Sequence, residues 1–396
     1  MNNLFYKNFF LKIFMIAFIF MLTSVYSQTE KKSNESAIDI SGFFDSAHHW
    51  RDITDYVQAF LPNPDQKDYK PDQIKEIADN ILLYQQKNGG WPKNYDMMAI
   101  LTEKQKAILQ EGKDSLHTSF DNGATYSQIE YLARAYDKIK DERYRNSALS
   151  GIDFILKAQY PNGGWPQFYP DTSGYRKYIT YNDDAMVGIM KVLHQIIQNK
   201  PYYSFVGKEK RKEVKKSFDE GIECILKTQI IDNGKPTVWC QQHDNVNLKP
   251  QHARAFELPS KCGEESTGIT LLLMSIEHPG KEVINSVKCA VEWFKNSEIH
   301  GIRVERIKAP KVVFKYRTSV TDKRVVIDPS APPIWARFYT LKGNKPFFTD
   351  RNSVPVDSLS KVGRERRDGY TWYTYEPQKV LDEYPAWNER IKKLGN

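Results

Sequence analysis

The sequence predicts a mainly α fold, an (α/α) toroid of repeated helical hairpins with a smaller β-containing region. Three observations predict it. The segment ILLYQQKNGGWP at 81–92 recurs as ILKAQYPNGGWP at 155–166, and GIDFILKAQ at 151–159 recurs as GIECILKTQ at 221–229. Apolar residues in and between these copies fall at helical spacing. The stretch 302–328, by contrast, is rich in Val and Ile, as strands are. Self-similarity at such a period marks stacked helical units, each of which buries its apolar face against the next.

The elements follow in chain order. Lys7 and Lys12 precede an apolar run from Ile13 to Leu22, and Val25 and Ser27 complete an A-x-A-like cleavage pattern. Residues 1–27 therefore read as a signal peptide, with an apolar run short for a membrane span. Residues 28–45 open with QTEKKSNES and read as a disordered leader, which leaves 46–396 as the folded domain. Asp72 is expected to cap a helix over 73–87, with Ile74, Ile77, Ala78, Ile81 and Leu82 on one face. Its glycine pair, Gly89 and Gly90, and the matching pair Gly163 and Gly164 provide the turn at the helix end. The third copy diverges to IIDNGKPTVWC but keeps Gly234 and Trp239. Ile129, Leu132, Ala133 and Tyr136 share a face of the next helix. Met186, Ile189, Met190, Leu193 and Ile197 share a face of another. Further helices are expected at 266–276 and 283–296, followed by the β stretch.

Composition bounds the function. The chain has 396 residues, of which 40% are hydrophobic and 13% aromatic, which supports a core and excludes general disorder. The formal net charge of +8 is scattered, without a long basic run. That suits a polyanionic substrate and argues against nucleic acid. Cys224, Cys240, Cys262 and Cys289 lack CxxC spacing, which argues against zinc; one disulfide and buried free thiols both stay open. No HExxH, GxSxG or P-loop motif occurs.

Two polar clusters occupy corresponding places ahead of two helices. One is Ser119-Phe120-Asp121-Asn122-Gly123-Ala124-Thr125, the other Thr180-Tyr181-Asn182-Asp183-Asp184-Ala185-Met186. Gly263-Glu264-Glu265-Ser266-Thr267-Gly268 is a third polar helix start. In a toroid the inner-helix ends on one side converge on one mouth, and carboxylates there suit a hard cation such as Ca²⁺. The plainer role of any single Asp is N-capping, worth about 1 kcal/mol; the matched pair favours a site. Arg254 in HARAFELPS, Arg337 in PPIWARFY and Arg351 in NKPFFTDRN stand among aromatics, a setting for bidentate carboxylate recognition. Taken singly, each is more plainly a surface ion-pair partner. His243, Asp244 and His252 lie near the Arg254 segment and read as cleft lining rather than catalytic groups.

Together, NGGWPKNYD, FDNGATYSQIEYLARAY, ILKAQYPNGGWPQFYP, ITYNDDAMVGIM, QHARAFELPS, WARFYTLKGNKPFFTDR and GYTWY resemble the pectate lyases of polysaccharide lyase family 10, in that family's order over residues 80–375. The resemblance implies an (α/α) toroid and calcium-assisted β-elimination of polygalacturonate to 4,5-unsaturated oligogalacturonides. It implies Asp121 and Asp183 beside Ca²⁺ and the substrate carboxylate, with Asp184 a neighbouring metal candidate. It implies Arg351 as the Brønsted base, in activity that rises above neutral pH, and Arg337 and Arg254 as substrate-binding residues. A secreted or periplasmic monomer is expected, with polygalacturonate as its partner and no membrane contact in the mature form. Gly123 stands where family members often carry an acid, as in DNDAT, which implies weaker calcium binding here. Gln85 to Trp91 and Gln159 to Trp165 also fit the QxxxGxW pattern of triterpene cyclases, but the DxDD acid is absent. A glycoside hydrolase on the same toroid would also fit these features, as would a non-catalytic protein that binds an acidic polysaccharide.

Overall fold

The computed structural model describes residues 37–52, 58–315 and 317–395. The expected signal peptide over 1–27 lies outside the described residues, as does the leader up to residue 36. The expected end of the disordered leader at residue 45 is corrected. Ile38 and Phe43 are buried, and a 3₁₀ turn at Ser41–Phe43 runs into helix α1 (Phe44–Asp52). The polar start of the leader conceals these anchors, which with Trp50 dock the segment on the core.

The fold is mainly α. After α1 come α2 (Ile74–Tyr84), α3 (Glu103–Glu111), α4 (Tyr126–Ile139), α5 (Glu142–Ala158), α6 (Ala185–Ile197), α7 (Lys208–Thr228), α8 (Gly263–Met274), α9 (Lys281–Asn296), α10 (Arg364–Gly369) and α11 (Pro377–Leu394). The α2 cap differs from expectation. Gln73, not Asp72, holds the N-cap position, and the helix stops at Tyr84 because Gln85 turns extended.

Helices α4, α6 and α8 pack side by side, and each packs on the helix that follows it. Burial separates the two kinds. In α6, Met186, Val187, Ile189, Met190, Leu193 and Ile196 are buried on all sides, as an interior helix requires. In α7, KEKRKEVKKSFDEGIECILKT, only a stripe that includes Val214, Phe218, Cys224 and Ile225 is buried, and the rest is charged. Helix α2 packs on α4, and α11 on α8 and α9.

The sequence repeat is a repeated fastening. Gln85 Nε2 donates to Gly89 O and to Ser147 O on α5, at 2.9 and 3.0 Å. Gln159 Nε2 does the same to Gly163 O and to Ser217 O on α7, at 3.0 and 2.8 Å. Gln229 Nε2 reaches Thr237 O and Ser286 O on α9, at 2.8 and 3.1 Å. Each glutamine thus ties its own turn to the next helix of the same kind. The tryptophans repeat as well. Trp91, Trp165 and Trp239 donate Nε1–H to Ile81, Ile155 and Ile225 carbonyls at 2.9, 2.9 and 2.7 Å. Two of these rings lie on helix glycines: a Cβ on Gly151 would sit 2.9 Å from the Trp91 ring, and one on Gly221 3.1 Å from Trp165.

The expected β region is an antiparallel hairpin of Ile302–Val313 and Thr318–Ile327, in register from Ile302 opposite Ile327 to Val313 opposite Thr318, with one irregularity between Lys308 and Val312. Two-residue pairings elsewhere join the loops, among them Lys261–Cys262 with Phe338–Tyr339 and Trp335–Ala336 with Tyr373–Thr374. A second apolar cluster of Phe256, Phe338, Phe348, Tyr370 and Trp372 lies under these loops. All four cysteines are free thiols, three of them buried. Among the described residues no helix is long and apolar enough to cross a membrane.

Candidate active site

The turns ahead of α4 and α6 carry the two acidic clusters. Asp121–Gly123 and Asn182–Asp184 are short 3₁₀ turns that pack against each other. Non-glycine residues there hold left-handed backbone: Asn122 at φ 52°, Thr125 at 70°, Asp183 at 50° and Asp184 at 57°. Such conformations cost energy and persist only where packing enforces them, commonly at functional sites. Gly123, at φ +80°, lies under the N-terminal segment, where a Cβ would come within 2.2 Å of the Gly42 carbonyl oxygen. Ser46 of α1 donates to Asn122 O at 2.6 Å. The N-terminal segment is thereby seated on the first acidic turn.

The turns face a cleft of about 830 Å³, lined among others by Asp121, Asp183, Arg254, Arg337 and Arg351. Asp121 is buried. Its Oδ2 accepts from Lys93 Nζ at 2.6 Å, while its Oδ1 has no hydrogen-bond partner among the described residues. Burial pushes its pKa up, but the Lys93 ammonium outweighs this and the net direction is down. Asp183 moves the other way, up to about 8, through desolvation at the cleft floor and then the charge of Asp121, against the pull of Arg337.

The three arginines come from distant segments, and each rests on a carboxylate. Arg337 is buried, with Nε on Glu265 Oε1 at 3.0 Å and Nη2 on Asn182 Oδ1 at 3.2 Å; Nη2 is also 3.8 Å from Asp183 Oδ1. Asn182 donates in turn to Asp183. The Tyr370 ring lies 4.6 Å from the Arg337 guanidinium and 5.7 Å from that of Arg254. Arg254 binds Glu257 through Nε at 2.8 Å, and Glu257 also accepts Tyr370 Oη at 3.0 Å. Arg351 makes a two-armed contact with Glu365 at 2.9 and 3.0 Å and lies 5.6 Å from the Phe256 ring. Burial would raise Glu365, but hydrogen bonds from Arg351 and Arg366 dominate and hold it at about 2.

The cleft lining thus gathers five of the six expected site residues. Asp184 is not among them. Its carboxylate turns toward α8, where a Cβ on Gly268 would meet Oδ1 at 2.5 Å, and its Oδ2 is 3.9 Å from Lys191. The expectation that His243, Asp244 and His252 line the cleft is also corrected, since none of them does. His243 is fully buried: Nε2 accepts from Cys240 N at 3.1 Å and Nδ1 lies 2.9 Å from Leu248 O. Sequence reasoning missed Lys93 and the carboxylates Glu257 and Glu365, and placed Asn182 in its cluster without the role of bracing Arg337. It also missed the contribution of α1, whose Asp45 and His49 line the cleft. Lys93 sits inside the NGGWPKNYD segment and was the most findable.

Among the described residues no group of three or more His, Cys, Asp or Glu is placed to hold a metal ion. The pair Asp121 and Asp183, with the unpartnered Asp121 Oδ1, fits a hard cation that takes six to eight oxygen ligands only if a bound molecule and water supply the rest.

Residues 85–381 match the protein family described as Pectic acid lyase. Two solved structures are similar to this chain. A mutant of a Family 10 polysaccharide lyase from Cellvibrio cellulosa, in complex with trigalacturonic acid, is 28% identical at a TM-score of 0.66, over 78% of this chain and 91% of that one. A Family 10 polysaccharide lyase from Cellvibrio cellulosa is 28% identical at a TM-score of 0.67, over 80% and 92%. No curated protein sequence matches.

Proposed function

The chain belongs to the pectic acid lyase family and is a pectate lyase of polysaccharide lyase family 10, and from that premise we propose that it cleaves polygalacturonate by calcium-assisted β-elimination with Arg351 as base. The observation that carries the reading is the convergence of Asp121, Asp183, Arg254, Arg337 and Arg351 on one cleft. Arginines beside paired acids suit a substrate that is itself a chain of carboxylates, because guanidinium forks match carboxylate geometry.

Arg337 is held rigid by Glu265 and Asn182 and presents its charge to a uronate carboxylate beside Asp183. Arg254, braced by Glu257, offers a second cation on the same wall. Asp121 and Asp183 would hold Ca²⁺ together with the substrate carboxylate. That ion, when bound, withdraws charge from the carboxylate and so acidifies the neighbouring C–H. Arg351 takes the C5 proton. The C5 electron pair forms the C4–C5 double bond, and the C4–O bond breaks, its oxygen gaining a proton from solvent as the shortened chain leaves with a free hydroxyl. The guanidinium must first give up a proton of its own, which alkaline conditions favour.

The successive helix pairs support an (α/α) toroid with the cleft at one mouth. The N-terminal sequence supports export to the periplasm or medium after removal of 1–27, as a monomer. The test is incubation with polygalacturonate in Ca²⁺ or in chelator, with absorbance followed in the unsaturated-uronate band. Calcium-dependent growth is expected. Reducing ends without absorbance indicate hydrolysis instead, and binding without either indicates a non-catalytic protein.

A further inference from the structure

The hairpin of Ile302–Val313 and Thr318–Ile327 carries two different charge arrangements. Away from the cleft lining, opposite charges meet: Glu305 is opposite Arg324 in the register and pairs with it at 2.9 Å. At the next position Arg306 is opposite Lys323, and both side chains line the cleft. Like charges directly opposed across two strands destabilise a hairpin, and their placement on the cleft side calls for an anion.

The protein supplies only part of one. Asp368 accepts from Arg317 Nη2 at 3.0 Å and lies 3.4 Å from Arg306 Nε. Its remaining lone pairs are taken by Ser319 Oγ at 2.7 Å and Thr321 Oγ1 at 3.0 Å. Lys323 is half-buried. Its Nζ donates to the Tyr370 carbonyl at 3.0 Å, and among the described residues no carboxylate lies within ion-pair distance of it. Burial, and next the charge of Arg306, lower its pKa, against the attraction of Asp368. The other lysine and arginine residues of the lining each have a carboxylate partner, as Arg254, Arg337 and Arg351 do. Tyr370 joins the two regions, with its carbonyl on Lys323 and its ring on Arg337.

We propose that this face of the hairpin is a further carboxylate-binding position for the uronate chain, with Lys323 as the contact residue and Arg306 beside it. The proposal rests on the reading of the cleft as a polygalacturonate site. Lys323 positions the chain and takes no part in proton transfer, so its loss acts on binding.

The experiment is steady-state kinetics on polygalacturonate with the full chain, its Lys323→Met variant and its Lys323→Arg variant, with thermal melting of each. Lys323→Met is expected to raise KM about tenfold, as the loss of one charge-assisted hydrogen bond does, with kcat within about twofold. Lys323→Arg keeps the charge and is expected to stay within about threefold of the parent KM. Melting of Lys323→Met is expected at or above the parent temperature, because removal of a facing like charge relieves the hairpin. An unchanged KM, an equal loss in Lys323→Arg, or a lowered melting temperature in Lys323→Met overturns the proposal. If the parent releases no unsaturated product, the lyase reading falls separately. Retention of the parent and Lys323→Met in a polygalacturonate-loaded gel then decides: weaker retention of the variant supports the hairpin site, and equal retention overturns it.

Discussion

Lys93 Nζ stands 2.6 Å from Asp121 Oδ2, and both side chains are largely withdrawn from water. The pair joins the turn after Trp91 to the turn ahead of α4, so repeat and cleft meet at one ion pair. Removal of one partner strands a buried charge, which costs about 3–5 kcal/mol, whereas removal of both costs much less. Lys93→Met is therefore expected to melt well below the parent, and Lys93→Met combined with Asp121→Asn to recover part of the loss. Additive losses in the double variant would show that the two groups are not coupled.

Arg351 has a side chain 41% exposed, so its role can be separated from folding. Arg351→Ala is expected to lower kcat by about 10²–10⁴, the range for loss of a general base, with melting within a few degrees of the parent. Parent activity is expected to climb above neutral pH. Retained turnover in Arg351→Ala, or a rate maximum in mild acid, removes it as base.

Asp183 and Asp184 are neighbours with opposite outlooks. Asp183 faces the cleft beside Arg337, while Asp184 turns toward Gly268. In a titration of activity against free Ca²⁺, Asp183→Ala should need at least about tenfold more ion, as loss of a charged ligand implies. Asp184→Ala should stay near the parent curve. A large shift for Asp184→Ala would return that residue to the metal site.

His243 gives a pH effect on stability unrelated to catalysis. Burial, opposed by its contacts to Leu248 and Cys240, holds its pKa at about 4, below the ordinary 6.5. The unfolded chain therefore binds a proton here before the folded one does, so its contribution is complete above pH 6.5 and is lost as pH falls toward 4. The full loss is about 3 kcal/mol. Chemical denaturation at intervals across that window should show falling stability in the parent and a shallower fall in His243→Gln. Equal slopes would place the acid sensitivity elsewhere.

The helical pairs were legible because the repeat is local: in the first two copies Gln, Gly and Trp keep one spacing and the same bonds, and the third keeps the glutamine and tryptophan fastenings at a wider spacing. The site arginines and Asp121 and Asp183 were legible as motifs. Their supports were not, since Glu265 lies 72 residues from Arg337 and no spacing rule links them. The packed Ile38 and Phe43 were hidden behind a polar run that masks two isolated apolar anchors. That Asp184 falls outside the cleft lining was not legible, because sequence adjacency does not reveal that adjacent residues in a left-handed turn point apart. The charge conflict of Arg306 and Lys323 exists only once the hairpin register is known.

The hairpin is fastened to the body mainly by side chains: Asp368 grips Ser319, Thr321 and Arg317, Arg367 grips Asp322, and Arg364 reaches Thr321 O at 2.9 Å. Among the described residues its strands pair with each other and with no further strand. Substitutions along its cleft edge therefore need not pass through the helical core. Natural variation or directed selection can change the charge and shape of that edge while the scaffold that folds the protein stays as it is.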